Sequence, residues 1–184
     1  MGLRDLNNIK LEYRSLSDNV VSNFYIPCLN EACEYDRAVG FFSSKILLSI
    51  SIGLGAIAKK GGKIKLLVSP QLSKEDYDAI EHGYELRKLA KKRMTEAFDE
   101  NIDFYQKEDR FAMLAYLIEH KILDIKVAIP ETYSERALFH DKLGVLIDTN
   151  HDIISFSGSN NETDAAITDN YETFDAFCSW KSEE

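Results

Sequence analysis

Three short stretches near the end of the chain carry side chains able to do chemistry together: His140-Asp-Lys142, Ser157-Gly-Ser-Asn-Asn161 and Asn170-Tyr-Glu172. On an extended backbone residues i and i+2 share a face, so His140 and Lys142 project together from the start of one strand. An imidazole beside an ammonium is what attack on a phosphodiester needs. The nitrogen can form a covalent phospho-enzyme, and the fixed cation can stabilise the charge of a trigonal-bipyramidal transition state. Ser159 and Asn161 again share a face and offer hydroxyl and amide donors to phosphate oxygens, while Gly158 lets the backbone come close. A carboxylate such as Glu172, if it met the far nitrogen of His140, would set the tautomer and orientation of the ring. Two displacements of this kind require no metal.

Each stretch alone is uninformative: His-x-Lys is usually surface decoration, and Gly-Ser-Asn-Asn is usually a turn. Their order and spacing carry the weight. Fifteen residues separate Lys142 from Gly158, the length of strand, turn and strand that brings both patches to one end of a hairpin.

The elements that must position these residues are legible from periodicity. Ala38-Val-Gly-Phe-Phe42, after the charged Asp36-Arg37, reads as a short buried strand. From Lys45 to Lys60 apolar residues recur at threes and fours, and Gly61-Gly62 supplies a stop, which predicts one helix. Lys63 to Ser69 then reads as a second strand, so the three form a right-handed βαβ unit. Ser73 with Asp76 resembles a capping box opening a helical stretch through Phe98, with a break near His82-Gly83. A further amphipathic helix spans about Arg110 to Lys121. Strands are expected over Asp124–Ile129, Lys142–Ile147, Ile153–Ser157 and Thr173–Trp180.

The composition excludes several classes. At 184 residues, 45% hydrophobic and 29% charged, the chain suits one α/β domain over residues 1–184. A net charge of −9 repels nucleic acid and anionic membrane at long range, so any polyanion contact must be local. The cluster Arg87, Lys88, Lys91, Lys92 and Arg93 reads as a solvated helix face. Cys28, Cys33 and Cys178 form neither an even disulfide set nor a zinc-knuckle spacing and are expected as free thiols in a reducing cytoplasm. No secretory h-region and no membrane span is visible. His82, His120 and His151 read as surface residues, and Glu131, Glu135 and Arg136 as a solvated loop.

The residues that carry chemistry resemble the phospholipase D superfamily, whose signature is His-x-Lys, an Asp a few residues on, then Gly-Ser-x-Asn. His140-Asp-Lys142 and Gly158-Ser-Asn-Asn161 match it directly. The resemblance implies a phosphohistidine on His140, phosphate contacts from Lys142, Ser159 and Asn161, a supporting acid at Glu172, and no metal or cofactor. Five residues separate Lys142 from Asp148, one more than the signature allows, so no direct catalytic role is expected for Asp148. Tyr35 to Ser44, Gly61 to Pro70 and Phe156 to Thr163 are also similar to the amino-terminal phospholipase-D-like domain found ahead of a DEAD/DEAH-box helicase in bacterial restriction-type proteins. That likeness implies a mixed sheet flanked by helices, an excised amino-terminal domain, a DNA substrate and a fused or partner helicase. The superfamily builds one site from two motif copies and this chain holds one, so a homodimer is expected; Leu138, Phe139 and Phe156 are candidates to seal it, although core burial is the fate expected of each. Lipid hydrolysis is the rival chemistry, disfavoured by the missing signal peptide and membrane-binding helix. A non-catalytic dimerisation or nucleic-acid-binding module is the rival of another class.

Overall fold

The computed structural model describes residues 1–69, 73–93, 110–128, 139–160 and 171–181, with residues 86–93 and 110 described by backbone alone. Its strands are β1 (Glu12–Arg14), β2 (Glu34–Val39), β3 (Lys63–Val68), β4 (Leu123–Val127), β5 (Lys142–Ile147), β6 (Ile153–Gly158) and β7 (Thr173–Cys178). The helices are α1 (Ile26–Glu31), α2 (Lys45–Ser49), α3 (Ser51–Lys59), α4 (Lys74–Arg93) and α5 (Arg110–Glu119). The strands form one mixed sheet in the order β1-β7-β6-β5-β2-β3-β4. This is the expected α/β class, a mixed sheet flanked by helices.

Alternation with a period of two sets which face each strand buries. Tyr35, Arg37 and Val39 of β2, Ile64, Leu66 and Val68 of β3, and Phe174, Ala176 and Cys178 of β7 all point inward. All of these except Arg37 join Leu29, Ile46, Leu54, Leu114 and Ile118 from the helices in one apolar core. An aromatic group of Tyr13, Phe24, Tyr25, Phe156 and Phe174 packs beneath β6 and β7 with ring centroids 4.9–5.9 Å apart. Phe156 is therefore a core residue and does not seal a dimer interface; Phe139 is half-buried, and Leu138 lies outside the described residues.

β2 and β3 pair in parallel through the α2–α3 crossover, the βαβ unit that the pattern predicts. Strand ends shift by a residue or two, and β2 and two helices differ from expectation by more. β2 begins at Glu34, so Asp36 and Arg37 lie inside it, and it ends at Val39 instead of Phe42. The single helix expected over 45–60 is two, because Ile50 adopts φ −108° and ψ 12° between them. α4 runs through His82-Gly83 without the expected break. Gly83 serves packing there: a Cβ on it would lie 2.8 Å from the Ala115 carbonyl oxygen, so α5 can approach only because the side chain is absent. The Ser73 cap is as expected, its hydroxyl accepting the Asp76 N–H at 3.0 Å. Asp76 in turn accepts the Ser44 N–H at 3.2 Å and ties the start of α4 to that of α2. The basic side chains Arg87 to Arg93, the residues Glu131, Glu135 and Arg136, and the extension of α4 to Phe98 lie outside the described side chains. His82, His120 and His151 are exposed as expected, and all three cysteines are free.

The outermost strand β4 has its backbone engaged by a side chain from α4. The Tyr84 hydroxyl accepts the Ile125 N–H at 2.8 Å and lies 3.0 Å from the Ile125 carbonyl oxygen. A sheet edge closed in this way offers less to a second chain. Tyr84→Phe is expected to cost about 1–2 kcal/mol and to raise the tendency to self-associate on heating. Thermal unfolding followed together with light scattering measures both effects. No helix among the described residues is long and apolar enough to cross a membrane.

Candidate active site

His140 precedes β5, Lys142 opens it, Gly158 closes β6, Ser159 follows it, and Glu172 precedes β7. β5 and β6 are antiparallel, with Leu143 opposite Ser157, and β6 and β7 are antiparallel, with Gly158 opposite Phe174. The end of one strand and the start of the next therefore meet at the same rim of the sheet, and the three motif stretches meet there with them.

The Lys142 Nζ lies 2.9 Å from Nδ1 and 3.1 Å from Nε2 of His140, and 3.0 Å from its carbonyl oxygen. The ammonium is thus held against the ring and can donate to a ring nitrogen that carries a lone pair. Gly40, just beyond β2, makes room for the ring: a Cβ there would lie 2.9 Å from His140 Cδ2. Phe41 stands edge-on to the same ring at 6.0 Å. Neither residue was singled out in the sequence, where Gly-Phe-Phe reads as the tail of a strand.

Ser159 donates its hydroxyl to a Glu172 carboxylate oxygen, and its Oγ accepts the Thr173 N–H at 3.1 Å. Glu172 is fixed from its other side by Ser15, whose Oγ accepts the Glu172 N–H and whose N–H donates to the Glu172 carbonyl, both at 2.9 Å. Ser15 lies in a region that the sequence left without assignment. Among the described residues the ring nitrogens of His140 hydrogen-bond to Lys142, whereas the Glu172 carboxylate holds Ser159. The Glu172 carboxylate is thus the partner of the Ser159 hydroxyl at this rim. Asn161 lies outside the described residues. Gly158 has no room for a side chain, since a Cβ would fall 2.1 Å from the Thr173 carbonyl oxygen.

Burial pushes the Lys142 ammonium below its ordinary value of 10.5; the nearby Arg37 adds to this, while Glu172 and Asp141 oppose it. If the charged form assists reaction, the alkaline limb of activity must fall below the usual lysine range. Because the folded state releases the proton first, Lys142 also weakens stability at neutral pH, and that cost fades as pH rises through the interval up to 10.5. A rate–pH profile of wild type beside Lys142→Arg tests this. The limb should move beyond the measurable range in the arginine variant, whose charge does not titrate there.

Asp148 sits at the opposite end of β5 from Lys142 and is 1% exposed. Its Oδ2 accepts the Leu3 N–H at 2.8 Å, and its Oδ1 accepts the N–H groups of Asn150 and Asp152 at 2.8 and 2.9 Å. It pins the amino-terminal segment and the β5–β6 turn, away from the rim.

No protein-family model matches the sequence, and no curated protein matches it. Solved structures do. NucT from Helicobacter pylori superposes with a TM-score of 0.53 at 15% identity, over 90% of this chain and 82% of that one. The chain shares the NucT fold. Nuc from Salmonella typhimurium, a phospholipase D family member, gives a TM-score of 0.49 at 17% identity over 90% of this chain and 79% of its own. Yeast tyrosyl-DNA phosphodiesterase gives 0.42 at 11% identity over 80% of this chain and 26% of its own.

Proposed function

We propose that this chain is a metal-independent phosphodiesterase domain, a DNA endonuclease of the restriction or helicase-associated kind, acting through a phosphohistidine on His140. The observation that supports this best is the Lys142 ammonium held on the His140 imidazole, at the same rim as the Ser159–Glu172 pair. A ring nitrogen of His140 attacks phosphorus in line with the leaving oxygen; the N–P bond forms as the P–O bond breaks. Lys142, Ser159 and Asn161 receive the non-bridging oxygens, so that charge develops against donors already in place. Glu172 holds the serine hydroxyl and offsets the lysine charge. Water then attacks phosphorus, the N–P bond breaks, and the imidazole is regenerated.

A proton must reach the leaving oxygen, and a second imidazole serves this best. One chain carries one such motif, so a homodimer that brings two His140 side chains to a shared cleft completes the site. The net charge of −9 does not favour DNA binding, and a fused or partner helicase would supply that affinity.

The test is cleavage of plasmid and single-stranded DNA in excess EDTA, with solution mass measured on the same sample. Cleavage by a species of twice the 21.0 kDa chain mass is expected, together with an acid-labile phosphate trapped on His140. A folded dimer that traps no phosphate and cleaves neither substrate would replace this reading with that of a binding module.

A further inference from the structure

Arg37 is 2% exposed, on the interior strand β2, and no step above uses it. A charge so buried is costly unless its surroundings hold it in place. Its Nη2 donates to the Asn160 carbonyl at 2.7 Å, 123 residues away in sequence. Its guanidinium carbon lies 4.9 Å from the centroid of the Phe156 ring, in cation–π range. The sheet register explains the arrangement. Arg37 lies opposite Gly144, and Gly144 lies opposite Phe156, so the three form one row across β2, β5 and β6. A Cβ on Gly144 would lie 2.2 Å from the Phe156 ring. The glycine lets the ring fold across the row and reach the arginine.

The turn held in this way is the one that carries Ser159. Asn160 is fixed twice, by Arg37 at its carbonyl and by Tyr25, whose hydroxyl accepts the Asn160 amide at 3.0 Å. Two residues nearer the rim, Val39 pairs with Lys142, so Arg37 lies on the same face as Lys142, in the next row of that face beneath it.

We propose that Arg37 is a positioning residue of the phosphate site: it anchors the Ser159-Asn160 turn against the strand of Lys142 and places a permanent positive charge beneath the bound anion. This rests on the reading of the rim as a phosphate site. The guanidinium is charged at every working pH, so it attracts phosphate while disfavouring a second charge on Lys142. Arg37 accordingly adds to the effect of burial in lowering that residue's affinity for protons, against Glu172 and Asp141. His140 faces the same ammonium. An asparagine between Ser159 and Asn161 acquires a purpose as well: its side chain turns inward to Tyr25 as an anchor.

Two readouts that do not depend on turnover test the proposal. One is the pH dependence of Lys142 acetylation, read by mass spectrometry; the other is the affinity for inorganic phosphate, read by calorimetry. Arg37→Met should shift the Lys142 titration to higher pH and weaken phosphate binding about tenfold. Arg37→Lys, which keeps the charge and loses the fork, should retain the titration and still bind phosphate more weakly. Tyr25→Phe, which frees only the Asn160 amide, should weaken binding with no change in titration, and it carries the test with Arg37→Lys if the methionine variant does not fold. Wild-type affinity and titration in Arg37→Met, or wild-type affinity in both other variants, overturns the role of Arg37 alone. A wild-type protein that binds no phosphate overturns the phosphate site itself, and this proposal with it.

Discussion

His140→Ala should lower metal-independent cleavage by about 10³-fold or more, because it removes the nucleophile of the proposed mechanism and leaves only binding and charge stabilisation. The His140 side chain is exposed, so truncation opens no cavity in the core and the variant should unfold at nearly the wild-type temperature. It also frees Lys142, whose Nζ now lies 2.9 Å from Nδ1 of the ring. Phosphate binding should therefore survive. This pattern separates a lost nucleophile from a lost site. Initial rates in EDTA, with phosphate affinity and thermal unfolding measured on the same protein, decide it. A variant that cleaves as the wild type does would remove His140 from the mechanism.

Asp148→Ala should produce the reverse pattern: a large loss of stability with the chemistry of the folded fraction intact. The carboxylate accepts three backbone N–H groups, from Leu3, Asn150 and Asp152. Losing charged hydrogen bonds and leaving buried donors without partners costs about 3 kcal/mol or more. In a domain of this size that lowers the unfolding temperature by roughly 6–12 °C. The turn it holds contains His151 at φ 64°, a left-handed conformation that strains a residue with a Cβ. Leu3, fully buried, is delivered to the core by the same carboxylate, and Arg4 pairs with Asp152 at 2.7 Å beside it. Calorimetry gives the stability, and cleavage rate per folded molecule gives the chemistry. A rate that falls as far as in His140→Ala would place Asp148 in the mechanism after all.

The parts of this protein that were legible in its sequence are those governed by local pattern. The apolar runs of β3, β5, β6 and β7 and the stripe of α5 announce themselves because burial on one face imposes a period on each. The rim residues were legible because short antiparallel strands return adjacent motifs to the same end. The first 33 residues gave no such signal: β1 is three residues long, and the π-helical turn Val21–Tyr25 merges into a six-residue helix. Ser15 and Tyr25 come from this stretch, and only the folded sheet brings them to Glu172 and Asn160. Arg37 illustrates the limit most clearly. A charged residue before an apolar run reads as lying outside the strand, yet here it is inside and buried, because its partners are a carbonyl and a ring from a distant hairpin. His82-Gly83 read as a break for the same reason, since what the glycine accommodates is another helix.

The pairing of β2 with β5 bears on how the site comes into being. β5, β6 and β7 form a meander of neighbouring strands, joined through five and fourteen residues, whereas β2 meets β5 across roughly a hundred residues. Contacts that distant form slowly. The hairpin that bears His140, Lys142 and Ser159 can therefore assemble early, while Arg37 and Gly40 reach it only when β2 docks. Until then His140 stands on a sheet edge with neither its floor nor its wall, so competence should appear with the slowest folding phase, after most strand structure has formed.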